Sequence, residues 1–150
     1  MKTYQPKAKE IKREWHLVDA SGAILGRMAS DIAGKLIGKH KVNYAPHMDM
    51  GDWVVVVNAG GVKVTGKKDQ QKVYYRHSGY PGGFKQVKYS ELAERNPIKI
   101  VELAVKRMLP QNRLMDKRMA RLKVYVDEKH PYEDKVKSQK EKGKNGSKKK

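Results

Sequence analysis

Residues 53–57 read WVVVV, a tryptophan and four valines with no polar residue among them. A strand with one wet face alternates apolar and polar positions, whereas an unbroken β-branched run predicts a strand covered on both faces, at the centre of a sheet. Working outward, residues 15–19 (WHLVD) alternate weakly and lead into Ala-Ser-Gly, which predicts a strand entering a turn. Between these two strands the period changes. Leu25, Met28, Ala29, Ile32, Ala33, Leu36 and Ile37 share one helical face, while Arg27, Ser30, Asp31 and Lys35 lie elsewhere and Gly38 is placed to end the helix.

On the C-terminal side, residues 62–65 (VKVT) and 72–76 (KVYYR) read as short strands joined by a polar hairpin turn at 66–71. The stretch SGYPGG at 78–83 reads as a loop, and Ser90 as the cap of a short helix reaching Arg95. Asn96-Pro97 then supplies a cap and a first-turn proline for a longer helix, with Ile98, Val101, Leu103, Ala104, Val105 and Met108 on or near its buried side and Pro110 past its end. A basic helix over about residues 113–121 and a last strand over 123–126 complete the pattern. Strands alternating with helices around a fully apolar strand define an α/β layered domain. The expected organisation is an N-terminal extension (1–14), one domain (15–126) and a basic tail (127–150). That tail buries too little apolar surface to offset its ordering entropy, so it is expected to be disordered when free.

Charge narrows the function. The chain carries 34 Lys and Arg against 16 Asp and Glu, a formal net charge of +18. Residues 135–150 hold eight Lys and one Glu, which still leaves +11 on residues 1–134. Such an excess repels itself unless a polyanion neutralises it, and nucleic acid is the obvious candidate. The absence of cysteine removes disulfides, thiolate catalysis and thiolate zinc sites. Neither a membrane-length apolar run nor a signal-type leader stands in the sequence, so the expectation is a soluble, unexported protein.

Catalytic motifs fail on chemistry. Residues 61–68 (GVKVTGKK) nearly match the phosphate loop G-x-x-x-x-G-K-[ST], but Lys68 stands where a hydroxyl should hold magnesium and no helix is expected to follow. Neither the turn 22–26 (GAILG) nor Gly79, Gly82 and Gly83 have dinucleotide-fingerprint spacing, and Pro81 lacks a backbone donor that a phosphate nest would use. His16, His40, His47, His77 and His130 show no i, i+4 pair, and His47 with Asp49 alone does not define a metal site. Asp49 and Asp52, flanking Gly51, read as turn formers. No cofactor, metal, membrane or small-molecule substrate is expected.

Basic residues instead cluster at 35–41, 63–72, 76–88 and 106–123, with Tyr44, Tyr74, Tyr75, Tyr80, Phe84, Tyr89 and Tyr125 among and beside them. Cations that bind phosphate beside rings that stack on bases or sugars suit RNA. Arg113, Lys117 and Arg121 follow an i, i+4, i+8 line with Arg118 beside it, and only Asp116 offsets them locally.

Four blocks make the reading specific: GRMA at 26–29, GKHKVNYAPHMDMGD at 38–52, VTGKKDQQKVYYRHSGYPGG at 64–83 and AVKRMLPQNRLMDKRMARLKVY at 104–125. In order, and across about residues 15–125, they resemble the family of large-subunit ribosomal protein thirteen in its bacterial form. The resemblance implies a three-layer α/β/α domain around a mainly parallel sheet of about four strands. It also implies a structural, non-enzymatic role in the cytoplasmic ribosome, binding large-subunit ribosomal RNA beside neighbouring ribosomal proteins and supporting early subunit assembly. The RNA-binding candidates are Arg27, Lys39, His40, Lys41, His47, Lys67, Lys68, Tyr75, Arg76, His77, Tyr80, Lys85, Lys106, Arg107, Arg113, Lys117, Arg118, Arg121 and Lys123. Arg107 and Met115 stand where the family pattern usually has glycine, so the loop at 108–110 is expected to take its own path. Alternatives from other classes are a phosphate- or nucleotide-dependent enzyme and a general basic nucleic-acid chaperone.

Overall fold

The computed structural model describes residues 5–138. In chain order it contains β1 (Trp15–Asp19), α1 (Leu25–Ile37), β2 (Trp53–Val57), α2 (Lys68–Gln71) and β3 (Val73–His77), then β4 (Phe84–Lys88), α3 (Tyr89–Arg95), α4 (Pro97–Met108), α5 (Met115–Met119) and β5 (Leu122–Val124). The valine run is the central strand of a parallel sheet ordered β1-β2-β5, with Trp15 opposite Trp53 and Leu122 opposite Val54. Its side chains divide by parity. Val54 and Val56 join the main core with Ile32 and Leu36 of α1 and Val101 and Val105 of α4, while Val55 and Val57 face a second cluster made by Val136, Trp15, Tyr125 and Tyr132. Each such burial is worth about 1.5–3 kcal/mol, so both faces hold the strand in register.

The second face decides where the domain ends. Residues 133–138 are helical, Val136 is buried, and the Trp15 ring lies between Trp53 (4.8 Å between centroids) and Tyr132 (5.0 Å). The expected boundary at residue 126 is therefore too early: Tyr132 and Val136 supply the apolar cover that the rest of the segment lacks. The part of the expected tail beyond residue 138 lies outside the described residues. At the other end, the extension is tied down by Glu14, whose backbone N–H donates to Asp52 at 3.0 Å.

Other differences have local causes. Residues 62–65 form no strand; Lys63 makes one parallel bridge to Ile24, donating to Ala23 O and accepting from Leu25 N at 2.9 Å each. The central sheet thus has three strands among the described residues rather than about four. The polar turn at 66–71 contains the single helical turn α2, because Lys68, Gln70 and Gln71 are good helix formers and Asp69 sits in the first turn, where a negative charge suits the helix N-terminus. A helix does follow the near-match to a phosphate loop, but it is one turn long, and the backbone of Lys63 inside that loop is already paired. β4 was hidden in its polar sequence, FKQVK, and pairs antiparallel with β3. Ser90 lies inside α3, which Lys88 precedes; Asn96 caps α4 as expected, its side chain accepting from Lys99 N at 3.2 Å. Ile100 is buried on α4 while Met108 is exposed. Arg107 and Met115 both occupy helical backbone, which any L-residue adopts.

Candidate nucleic-acid interface

The stretch VYYRHSGYPGGFK folds as a β-hairpin standing apart from the central sheet. Tyr80-Pro81-Gly82-Gly83 is a type II turn: Pro81 supplies the fixed φ, Gly82 takes φ +72°, and Gly83 N donates to Tyr80 O at 2.9 Å. Its glycine therefore serves the turn. In the strands, Arg76 stands directly opposite Lys85, a like-charge pair that weakens the hairpin when no anion intervenes. Tyr75 and Phe84 stack at 5.6 Å between centroids although both are more than half exposed, and Tyr80 is 75% exposed. Apolar rings stacked in water beside unopposed cations offer a platform for planar bases.

Beneath the hairpin lies a hollow of about 340 Å³ lined by Tyr74, Val87, Leu92 and Leu103, with Arg76, Lys85, Lys99 and Arg107 also on its walls. A second cleft, of about 440 Å³, opens between the start of α1, residues 64–72 and the end of α4. Arg27, Lys68, Lys72 and Arg107 line it, and no carboxylate does. Lys72 and Arg107 both approach the Tyr74 ring, at 5.2 and 5.7 Å. Burial pushes the Lys72 ammonium below its ordinary value, and the charges of Arg107 and Lys68 push it further. Arg107 belongs to both hollows.

A different set of cations faces inward. Gly51 lets the 38–52 segment press onto α1, since a Cβ there would lie 1.7 Å from Leu36 O. That approach sets Asp49 and Asp52 inside the protein. Asp49 receives a two-pronged hydrogen bond from the buried Arg121 and has Arg118 Nε at 3.8 Å and Arg13 Nη2 at 3.6 Å. Arg118 is 1% exposed, and its Nε and Nη1 find no hydrogen-bond partner among the described residues. Asp52, fully buried, meets Lys41 Nζ, His16 Nε2 at 2.9 Å, His40 Nε2 at 2.9 Å and the Glu14 N–H. Burial alone would raise its carboxyl; the hydrogen bonds from His16, Lys41 and Glu14, with the Lys41 charge, outweigh it and hold the group at about 2.

These positions correct part of the expected site. Arg118 and Arg121 point into the protein, where Asp49 attracts them, and Lys41 donates to Lys12 O at 2.6 Å and Met50 O at 2.9 Å as well as to Asp52, leaving no donor for phosphate. One ring nitrogen of His40 is likewise engaged. Asp49 and Asp52 are ion-pair centres rather than turn formers, and His16 and His40 come together from 24 residues apart, which spacing along the chain could not reveal. By contrast Arg27, Lys39, Lys67, Lys68, Arg76, Lys85, Lys106, Arg107, Arg113 and Lys117 are exposed and make no ion pair among the described residues. Lys123 is half-buried on β5; His47, His77, Tyr75 and Tyr80 are exposed, with His77 Nδ1 accepting from Gly79 N. Absent from the expected set are Lys72 and Lys99, which line the hollows, and Phe84, which stacks on Tyr75 in the hairpin. Lys72 and Phe84 stood inside basic clusters; Lys99 lay outside all four.

A layered α/β domain of this kind, with its surplus cations turned outward, belongs to the ribosomal proteins, which are structural components and not enzymes. The family model described as ribosomal protein L13 matches residues 13–131, and the chain belongs to that family. It is 56% identical over 132 residues to the large ribosomal subunit protein uL13 of Salinispora arenicola, covering 88% of this chain and 90% of that one. The uL13 of Thermobifida fusca is 54% identical over 133 residues (89% of each chain), and that of Thermotoga petrophila 54% over 132 (88% and 89%). The chain is accordingly a structural constituent of the large ribosomal subunit, located in the ribosome of the bacterial cytoplasm. Family membership sets aside the nucleotide-dependent enzyme.

Proposed function

We propose that this protein binds large-subunit ribosomal RNA and supports an early step in assembly of that subunit. The observation that carries the reading is the separation of its cations: Arg118, Arg121 and Lys41 turn inward onto Asp49 and Asp52, whereas those around the hairpin and the two hollows make no ion pair among the described residues. Arg76 and Lys85 neutralise phosphates at the hairpin, and Arg27, Lys68, Lys72 and Arg107 do so at the cleft. Tyr75, Phe84 and Tyr80 offer faces to unstacked bases. The like-charge repulsion at these places is relieved when phosphate enters.

Counterion release makes this testable. Affinity for large-subunit RNA is expected to fall linearly on a log-log plot against salt, by about 0.7–0.9 per phosphate neutralised. An affinity that stayed flat across the titration overturns the electrostatic mechanism. Depletion of the protein from cells is expected to leave large-subunit precursors that sediment more slowly than the finished particle. Normal subunits lacking this chain would remove the assembly role.

A further inference from the structure

The two oxygens of Asp52 keep different company. Oδ1 accepts from Lys41 Nζ and from the Glu14 N–H at 3.0 Å. Oδ2 is met by two imidazoles, His16 Nε2 and His40 Nε2, each at 2.9 Å, and by no other group among the described residues. All three donor atoms lie within 4.8 Å of one another. They arrive from three separate places: β1, the turn after α1 and the entrance to β2.

We propose that His16 Nε2, His40 Nε2 and Asp52 Oδ2 form a binding site for one divalent transition-metal ion of the zinc class. Two imidazoles with one carboxylate oxygen suit zinc, cobalt or nickel far better than the oxygen-seeking magnesium or calcium. The geometry is close to what such an ion needs. A tetrahedral zinc, with ligands at about 2.0–2.2 Å, sets neighbouring donors about 3.3–3.4 Å apart, so the two pairs now at 2.9 Å open by about 0.4 Å and the two ring nitrogens, within 4.8 Å of each other, adjust to the same spacing by turning of the rings.

Access and adjustment are both available. The His40 side chain is 41% exposed and that of His16 24%, so an ion enters from solvent past His40 and water completes the coordination. The rings cross at 89° with centroids 5.8 Å apart, so neither blocks the other from the shared oxygen. Each neutral ring ligates by carrying its proton on Nδ1 instead of Nε2, a change of tautomer. Lys41 stays on the far oxygen, also anchored by two backbone carbonyls, and acts on the carboxylate from behind. The bound ion would fasten the N-terminal strand to the 38–52 segment, which carries Lys39 and His47 on its surface. The inference rests on this geometry and not on RNA binding.

The test uses the full chain, stripped with a chelator and titrated with zinc by calorimetry and with cobalt(II) by visible absorption. The expected result is one ion per chain, with the intense d–d bands of a tetrahedral cobalt complex. His16→Ala and His40→Ala are each expected to weaken binding at least about tenfold, while a His47→Ala/His77→Ala double variant binds as the unaltered chain does. His40→Gln, which can still hydrogen-bond to Asp52, separates loss of the ligand from loss of the fold: its melting temperature without metal should stay near the original while its zinc-dependent rise disappears. Absence of stoichiometric binding, or binding retained in both single histidine variants, overturns the site.

Discussion

The acid-centred interior around Asp49 and Asp52 and the acid-free surface of the hairpin and cleft contain the same kinds of side chain in opposite circumstances. In the interior, Arg118, Arg121 and Lys41 are drawn to carboxylates and hold the 38–52 segment against α1, α5 and the start of β2. At the surface, Arg76 faces Lys85 across a strand pair, and Lys72 sits beside Arg107 and Lys68. A net charge of +18 therefore counts two populations. Interior cations stabilise the protein alone; surface cations repel one another until a polyanion arrives. Substitution should move them in opposite directions, which gives four ways to break the distinction.

The largest effect belongs to Asp49→Asn. It leaves Arg118 and Arg121 buried without their counter-charge, and removing one partner of a buried ion pair costs about 3–5 kcal/mol. Urea denaturation should show that loss, while the salt dependence of RNA binding by the remaining folded protein stays as it was. A cost below about 1 kcal/mol would mean that Asp49 does not anchor the interior set.

Asp52 gives a smaller, pH-dependent effect. Its carboxyl is held at about 2 in the folded protein against 3.8 ordinarily. A depressed carboxyl contributes stability that is present above pH 4 and lost as pH falls through about 2. The amount is about 2 kcal/mol. Stability measured against pH, with chelator present, should lose that contribution over this window, and Asp52→Asn should lack this component of the slope. Tyr75→Ala is expected to behave like neither. It removes one stacking face, worth about 1–3 kcal/mol of RNA affinity per base, with little change in melting temperature because the ring is 61% exposed.

The division between these regions was only partly legible in the sequence. WVVVV disclosed the central strand because burial on both faces leaves a one-dimensional signature, and the helical face of α1 did so by its period. Ion pairing leaves none. Arg121 ends the basic line begun by Arg113 and Lys117, with Arg118 beside it, yet Arg118 and Arg121 turn inward while the other two stay exposed, because Asp49, 69 and 72 residues earlier, is brought to them by the fold. His16 and His40 meet for the same reason. β4 was missed because a hairpin strand wet on its outer face has the composition of a loop, and the domain's end was misplaced because two residues, Tyr132 and Val136, suffice to cover the sheet.

The smallest expected effect, and the one of opposite sign, is at Lys72. Lys72→Met keeps the apolar stem over Tyr74 and removes the charge. In the free protein, an ammonium held below its ordinary value penalises folding while it is charged, a penalty present at neutral pH that fades as pH rises toward 10.5. The substitution should therefore leave stability unchanged or raise it by less than about 1 kcal/mol. The same change should weaken binding to ribosomal RNA and lower the salt slope by about 0.7–0.9, as expected when one fewer phosphate is neutralised. Stability and affinity moving apart in this way separates a surface cation from an interior one. A loss of stability instead would place Lys72 with Arg121, among the cations that the protein keeps for itself.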